Sequence, residues 1–111
     1  MTRRSFRVDW TVVAQRDLFG IVDYLAARNP PAAAAALERL ERHASALARN
    51  PGRGRVVPEL ERLHVREYRE LIVDNYRLLY RVTGSRVLVL GLLDSRRALA
   101  DLVFDRLTRE A

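Results

Sequence analysis

From Tyr68 to Val82 the chain reads Tyr-Arg-Glu-Leu-Ile-Val-Asp-Asn-Tyr-Arg-Leu-Leu-Tyr-Arg-Val, two strand-like runs joined by Asp74-Asn75. Asp and Asn tolerate the positive φ that a tight hairpin turn needs, while the branched and aromatic residues around them favour extended backbone. With a two-residue turn, Val73 faces Tyr76, Leu71 faces Leu78 and Arg69 faces Tyr80. Alternation then puts Leu71, Val73, Leu78, Tyr80 and Val82 on a core face, and Tyr68, Glu70, Ile72, Arg77, Leu79 and Arg81 on the other. Arg77 and Arg81 stand about 13 Å apart along one strand at roughly 3.3 Å per residue, a spacing suited to separated phosphates or carboxylates. A bulge or a longer loop would move Arg69 to their face, because a one-residue slip exchanges the two faces of a strand.

A lone hairpin is not stable in water, so the flanking segments must cover it. Thr83-Gly84-Ser85 turns into Val87–Leu93, apolar at nearly every position, which reads as a central strand over 86–93. At the other end of the chain, Phe6, Val8 and Trp10 alternate with polar neighbours and predict a half-buried strand over 5–10. Thr11 is placed as an N-cap for a helix to about Ala27, with Ala14, Leu18, Ile21, Val22 and Leu25 at helical spacing. Asn29-Pro30-Pro31 breaks it and starts a second helix whose stripe is Ala36, Leu37, Leu40, Ala44 and Leu47. The alanine run 32–36 allows close approach, so the two form an antiparallel hairpin of helices. Asn50-Pro51-Gly52-Arg53-Gly54 ends it and a loop runs to about Leu63, after which a strand is expected over 65–73. Leu99, Leu102, Val103, Phe104 and Leu107 predict a short C-terminal helix. The order is β-αα-βββ-α, an α+β fold with an antiparallel-rich sheet and helices on one face, in one domain spanning 1–111.

Composition narrows the chemistry. None of the 111 residues is cysteine and the two histidines are 21 positions apart, so neither a disulfide frame nor a zinc site is expected, and no cofactor is called for. No apolar run approaches the roughly 20 residues of a membrane span, and the first residues carry no apolar leader, which makes the cytoplasm the expected compartment. All 20 basic residues are arginine, giving a net charge of +6 without any lysine to act as base or nucleophile. Residues 50–97 hold ten arginines and six acidic residues, so the surplus lies with the sheet and suits an acidic partner: nucleic acid or an acidic protein segment.

The order of elements, Pro58-Glu59-Leu60 before the sheet, the run Tyr68–Val82 and the run Val87–Leu99 (Val-Leu-Val-Leu-Gly-Leu-Leu-Asp-Ser-Arg-Arg-Ala-Leu) together resemble the RelE/ParE superfamily of type II toxin–antitoxin toxins, over nearly the whole chain. The resemblance implies a small cytoplasmic toxin held in a hetero-oligomer by a cognate antitoxin whose extended segment wraps it. The edge strand 5–10 and the apolar groove beside the helical hairpin are the expected docking places. It also implies one of two targets. RelE-like members cut mRNA in the ribosome without a metal; ParE-like members bind and inhibit DNA gyrase and cut nothing. By the cleaving pattern Arg69 takes the first basic place on its strand, Arg77 is the arginine of the Tyr-Arg pair, and Arg96-Arg97 is the basic end of the last strand. A RelE-like enzyme would thus use Arg69, Arg77 and Arg97, and target binding is expected at Arg69, Arg77, Arg81, Arg96 and Arg97.

The chain departs from the cleaving pattern where acid–base chemistry is needed. The second basic place falls on Leu71, the His-Gly before the arginine pair is Asp94-Ser95, and the C-terminal tyrosine place falls near Val103 and Phe104. Attack by a 2′-hydroxyl needs a base and an acid besides charge stabilisation, and arginine does not deprotonate in proteins. Glu70, Asp94 or His64 would have to serve as base. The missing places favour the ParE-like, non-cleaving branch. A generic basic nucleic-acid-binding domain is the third reading, with no recognition helix to support it. For the arginines themselves the plain alternatives are a solvated strand face with Arg77 and Arg81 paired to Glu70, and Arg69 stacked at the core edge on Tyr80.

Overall fold

The computed structural model describes residues 5–95. Strand β1 (Arg7–Trp10) leads into helices α1 (Val12–Ala26) and α2 (Pro30–Ala46), followed by β2 (Arg55–Val56), the single-turn helix α3 (Pro58–Glu61), and strands β3 (Tyr68–Val73), β4 (Tyr76–Thr83) and β5 (Arg86–Asp94). They form a five-stranded sheet in the order β1-β5-β4-β3-β2, antiparallel except for the β1–β5 pair. The expected C-terminal helix, Arg96 and Arg97 lie outside the described residues.

The helices begin where side chains can satisfy their first free amides. Thr11 accepts from the Ala14 N–H at 3.1 Å and Asn29 from the Ala32 N–H at 3.1 Å, with Pro30 at the first helical position. Ala33, Ala36, Leu40, Ala44 and Leu47 form the buried stripe of α2, and Ala14 and Leu18 that of α1. Ala14, Leu18, Leu40, Ala44 and Leu47 pack on one face of the sheet against Leu71, Val73, Leu78, Tyr80, Val87, Val89 and Leu92, with Phe6, Val8 and Trp10 at the margin. Fully burying a side chain of the size of Leu40 or Leu47 stabilises by about 1.5–3 kcal/mol, so this layer is where most of the fold's driving force arises.

The hairpin register is the one a two-residue turn imposes: Val73 pairs Tyr76, Leu71 pairs Leu78 and Arg69 pairs Tyr80. Asp74 takes φ 54°, the left-handed conformation of primed turns, and its carboxylate receives the Arg39 Nε–H at 2.8 Å, tying the turn to α2. Arg69 therefore stays on the helix face, away from Arg77 and Arg81. The bulge lies elsewhere, where β5 gains a residue against β4 between Leu79 and Tyr80. It re-aims the end of β5, so that Leu92 joins the main core while Leu93 joins Val57, Leu60, Tyr68 and Leu79 in a second core on the opposite face. The Leu92 N–H is received by the Asp17 carboxylate of α1 at 2.9 Å.

Three expectations change. Helices do not occupy one face alone, since α3 covers part of the other through Val57 and Leu60. The loop expected to about Leu63 contains β2 and α3. The strand expected from Val65 begins at Tyr68, because residues 63–65 complete the end of α3. The Leu63 and Val65 N–H groups both donate to the Leu60 carbonyl, at 2.9 and 3.0 Å, and the His64 N–H donates to Glu61 at 2.9 Å. His64 takes φ 62° in the position a glycine commonly fills after a helix.

Candidate functional site

Register puts Glu70, Ile72, Arg77 and Arg81 on the sheet face opposite the helical hairpin, with Glu70 diagonal to Arg77. α3 lies over this face and brings Glu59 to the same point. The Arg77 Nη1 and Nη2 donate to the two Glu59 carboxylate oxygens at 2.7 and 2.8 Å, a bidentate pair. Its Nε donates to Glu70 Oε1 at 2.7 Å, and Nη2 lies 2.6 Å from that same oxygen. Arg55 on β2 closes the chain of charges, its Nε and Nη2 at 2.8 and 2.7 Å from Glu70 Oε2. The side chain of Arg77 is 7% exposed, that of Glu70 0%, and that of Glu59 33%.

The energetics follow from burial. A guanidinium and a carboxylate withdrawn from water are tolerated only when each finds compensating charge and hydrogen bonds, and here both Glu70 oxygens and every Arg77 nitrogen have them. The hydrogen bonds from Arg77 hold the Glu59 carboxyl down to about 2 against the opposing effect of burial. The same pair, with Glu70, pushes the Arg77 guanidinium above its ordinary range, so it is permanently charged. What this arrangement does chemically is fix α3 to the sheet. Arg77 meets two of the chain's own carboxylates in the place where a bound phosphate would have to lie.

The other predicted residues have separate surroundings. Arg69, half-buried on the helix face, donates from Nη1 to the Gly54 carbonyl at 2.7 Å. Beside it the buried Tyr80 hydroxyl donates to the Pro51 carbonyl at 2.7 Å and accepts the Gly54 N–H at 2.8 Å. Burial raises the Tyr80 phenol above its usual range, so it remains protonated as donor. Arg81 is exposed and lies over the Tyr68 ring, 5.8 Å from the centroid, a cation–π contact. His64 is exposed in the cap of α3, and Asp94 ends β5. Arg69, Arg77 and Arg81 thus have three distinct environments and do not converge on one point. Glu59 and Arg55 are the members of the ionic network that the sequence reading passes over. Pro58-Glu59-Leu60-Glu61, with proline at the first helical position and acids in the first turn, was the available signal. No group of His, Cys, Asp or Glu suited to a metal occurs among the described residues.

A two-layer α+β domain, with a helical hairpin on one face of the sheet and arginines rising from the other, is the class of fold found in RelE/ParE toxins. The family model for the ParE toxin of the type II toxin–antitoxin system, parDE, matches residues 8–99, and the chain belongs to that family. Three solved structures share the fold. A chain of the chromosomal ParDE toxin–antitoxin system from P. aeruginosa superposes with TM-score 0.69 and 23% identity, over 82% of this chain and 97% of that one. A chain of the toxin–antitoxin complex RelBE2 from Mycobacterium tuberculosis gives 0.57 and 24%, over 84% and 94%. The YoeB/ParE toxin from Agrobacterium tumefaciens gives 0.52 and 18%, over 80% and 98%. No curated protein sequence matches the chain.

Proposed function

We propose that this type II toxin arrests growth by binding and inhibiting DNA gyrase, without cleaving nucleic acid. The observation that carries the reading is the engagement of Arg77 by Glu59 and Glu70. In the cleaving pattern that arginine stabilises charge developing on the scissile phosphate, which requires donors free to meet an oxyanion. Two carboxylates already engage all three of its side-chain nitrogens, so an external anion would have to displace them. Leu71, at the second basic place, is a core residue packed under the helices. His64, another of the candidate bases, is exposed with its backbone in the turn that ends α3, and it is not among the groups that meet Arg77.

The proposed partner is a cognate antitoxin, in a hetero-oligomer. β1 is an edge strand whose Arg7 and Thr11 N–H groups donate to the Ser85 and Val89 carbonyls on the β5 side, so the Val8 amide and carbonyl face outward. Next to it α1 exposes more than half of Val12, Phe19 and Tyr24, an apolar surface that a partner helix or extended segment would cover. The compartment proposed is the cytoplasm; among the described residues no helix is long and apolar enough to cross a membrane.

Purified full-length toxin at micromolar excess is expected to block supercoiling of relaxed plasmid by gyrase, and to leave translated message without new 5′ ends in primer extension. Message cut in a ribosome-dependent manner, with supercoiling unimpaired, would replace this reading with the endonuclease one.

A further inference from the structure

Between Glu41 and Glu59 the chain has no acidic residue but holds Arg42, Arg49, Arg53 and Arg55. Arg42 is paired with Glu38, and Arg55 with Glu70. Arg49 and Arg53 are exposed, and among the described residues neither has an ion-pair or hydrogen-bonding side-chain partner. Arg69, whose guanidinium binds the Gly54 carbonyl, has no carboxylate partner among the described residues either. Among the described residues, three guanidinium groups with no carboxylate partner therefore gather at the Asn50–Gly54 loop, whereas Arg39, Arg55, Arg66 and Arg77 are each paired with an acid.

The loop that carries them is pinned. The Tyr80 hydroxyl holds Pro51 and Gly54 together from below, Arg69 holds Gly54 from the side, and the Arg53 N–H closes a turn onto the Asn50 carbonyl at 3.2 Å. Gly54 has no room for a Cβ, which would lie 2.6 Å from the Glu70 carbonyl oxygen and from the Tyr80 hydroxyl. Gly52, at the exposed tip, has open space around it, so a ligand can approach the backbone closely. Ordering this loop therefore costs little on binding, because the fold has already fixed it.

We infer that this loop, with Arg49, Arg53 and Arg69, is a contact surface for the phosphodiester backbone of a nucleic acid. An acidic protein is the poorer fit. Protein interfaces depend on buried apolar or aromatic anchors, and the large exposed hydrophobics among the described residues, Val12, Phe19, Tyr24, Leu63, Ile72 and Val82, all lie outside residues 42–58. Backbone phosphates need only guanidinium and amide donors, and reading them requires no groove-sized element. The contact is thus independent of base sequence. It is separate from the Arg77 network, whose charges cancel internally, and it holds for a toxin that meets DNA on gyrase as for one that meets message on the ribosome.

Fluorescence anisotropy of the full-length toxin with a labelled 20-base-pair DNA duplex and a single-stranded RNA of equal length, from 50 to 200 mM salt, tests this. Wild-type binding should be in the micromolar range, with log affinity falling against log salt at a slope of about −2 to −3 on the favoured probe. In the double variant Arg49→Gln, Arg53→Gln the slope should become shallower by about 2, one unit per phosphate contact. Arg16→Gln, which removes an exposed arginine of α1 that has no acid partner among the described residues, should leave the slope unchanged. The favoured probe identifies the source of the phosphates. Equal slopes for the double variant and wild type, or no salt-dependent binding to either probe, overturn the inference. Neither result bears on the supercoiling assay, so the two readings fail separately.

Discussion

Arg77 shows how far a residue's meaning depends on its neighbours. On the strand pattern alone it is a cation on an open face; in the fold it is 7% exposed and holds two carboxylates. Replacing it by methionine keeps much of its volume but strands Glu70, fully buried, with only the solvent-exposed Arg55 as partner. Breaking a buried pair in this way costs about 3–5 kcal/mol, much more than an exposed pair contributes. Urea denaturation of Arg77→Met should therefore show an unfolding free energy lowered by that amount, seen as a lower midpoint at an unchanged slope. A variant as stable as wild type would mean that Arg77 is held in reserve for an external anion. The face on which Arg77 lies was legible from Asp74-Asn75 and strand alternation, and so was Glu70 as a neighbour. Glu59 was not, because its contact spans 18 positions of sequence and depends on where a four-residue helix settles.

At the scale of elements, the hairpin, both long helices and the central strand follow local rules: N-caps at Thr11 and Asn29, prolines at the start of α2, and period-two alternation on β3 and β4. β2 and α3 escaped because elements of two and four residues carry no periodicity to read. They are held by tertiary contacts instead: the clamp between Tyr80, Gly54, Pro51 and Arg69 ahead of β2, and the pairing of Glu59 with Arg77 at α3. Gly54→Ala tests that clamp. The added Cβ meets a backbone oxygen and a buried ring, neither of which can withdraw cheaply, so the substitution should destabilise by about 1–3 kcal/mol in thermal or urea unfolding. It should also loosen the arginine loop, and with it the salt-dependent binding. The bulge in β5 escaped for a related reason. An unbroken apolar run looks the same with or without an extra residue, yet the bulge decides that Leu92 enters the main core and Leu93 the second one rather than the reverse.

As a whole, the molecule separates its two chemistries across the sheet: apolar packing under the helical hairpin, and on the far side a small core roofed by α3 and latched by Glu59, Arg77 and Glu70. The latch has a pH signature. Glu59 titrates near 4.5 when unfolded and at about 2 when folded, so its contribution to stability is fully present above pH 4.5 and is lost as pH falls from there towards 2. Stability measured by urea denaturation should decline through that window, and Glu59→Gln should flatten the decline while lowering stability at pH 7. A variant with an unaltered acid profile would remove Glu59 from the latch. The sequence by itself determined the element types of the hairpin, helices and central strand, the hairpin register and the family resemblance, because turn chemistry, capping and periodicity act over a few residues. Only the tertiary structure decided which arginines are free. Burial and pairing of a long, flexible charged side chain depend on which distant backbone comes to rest beside it, and that is why Arg77 is enclosed by carboxylates while Arg49 and Arg53 remain open to solvent.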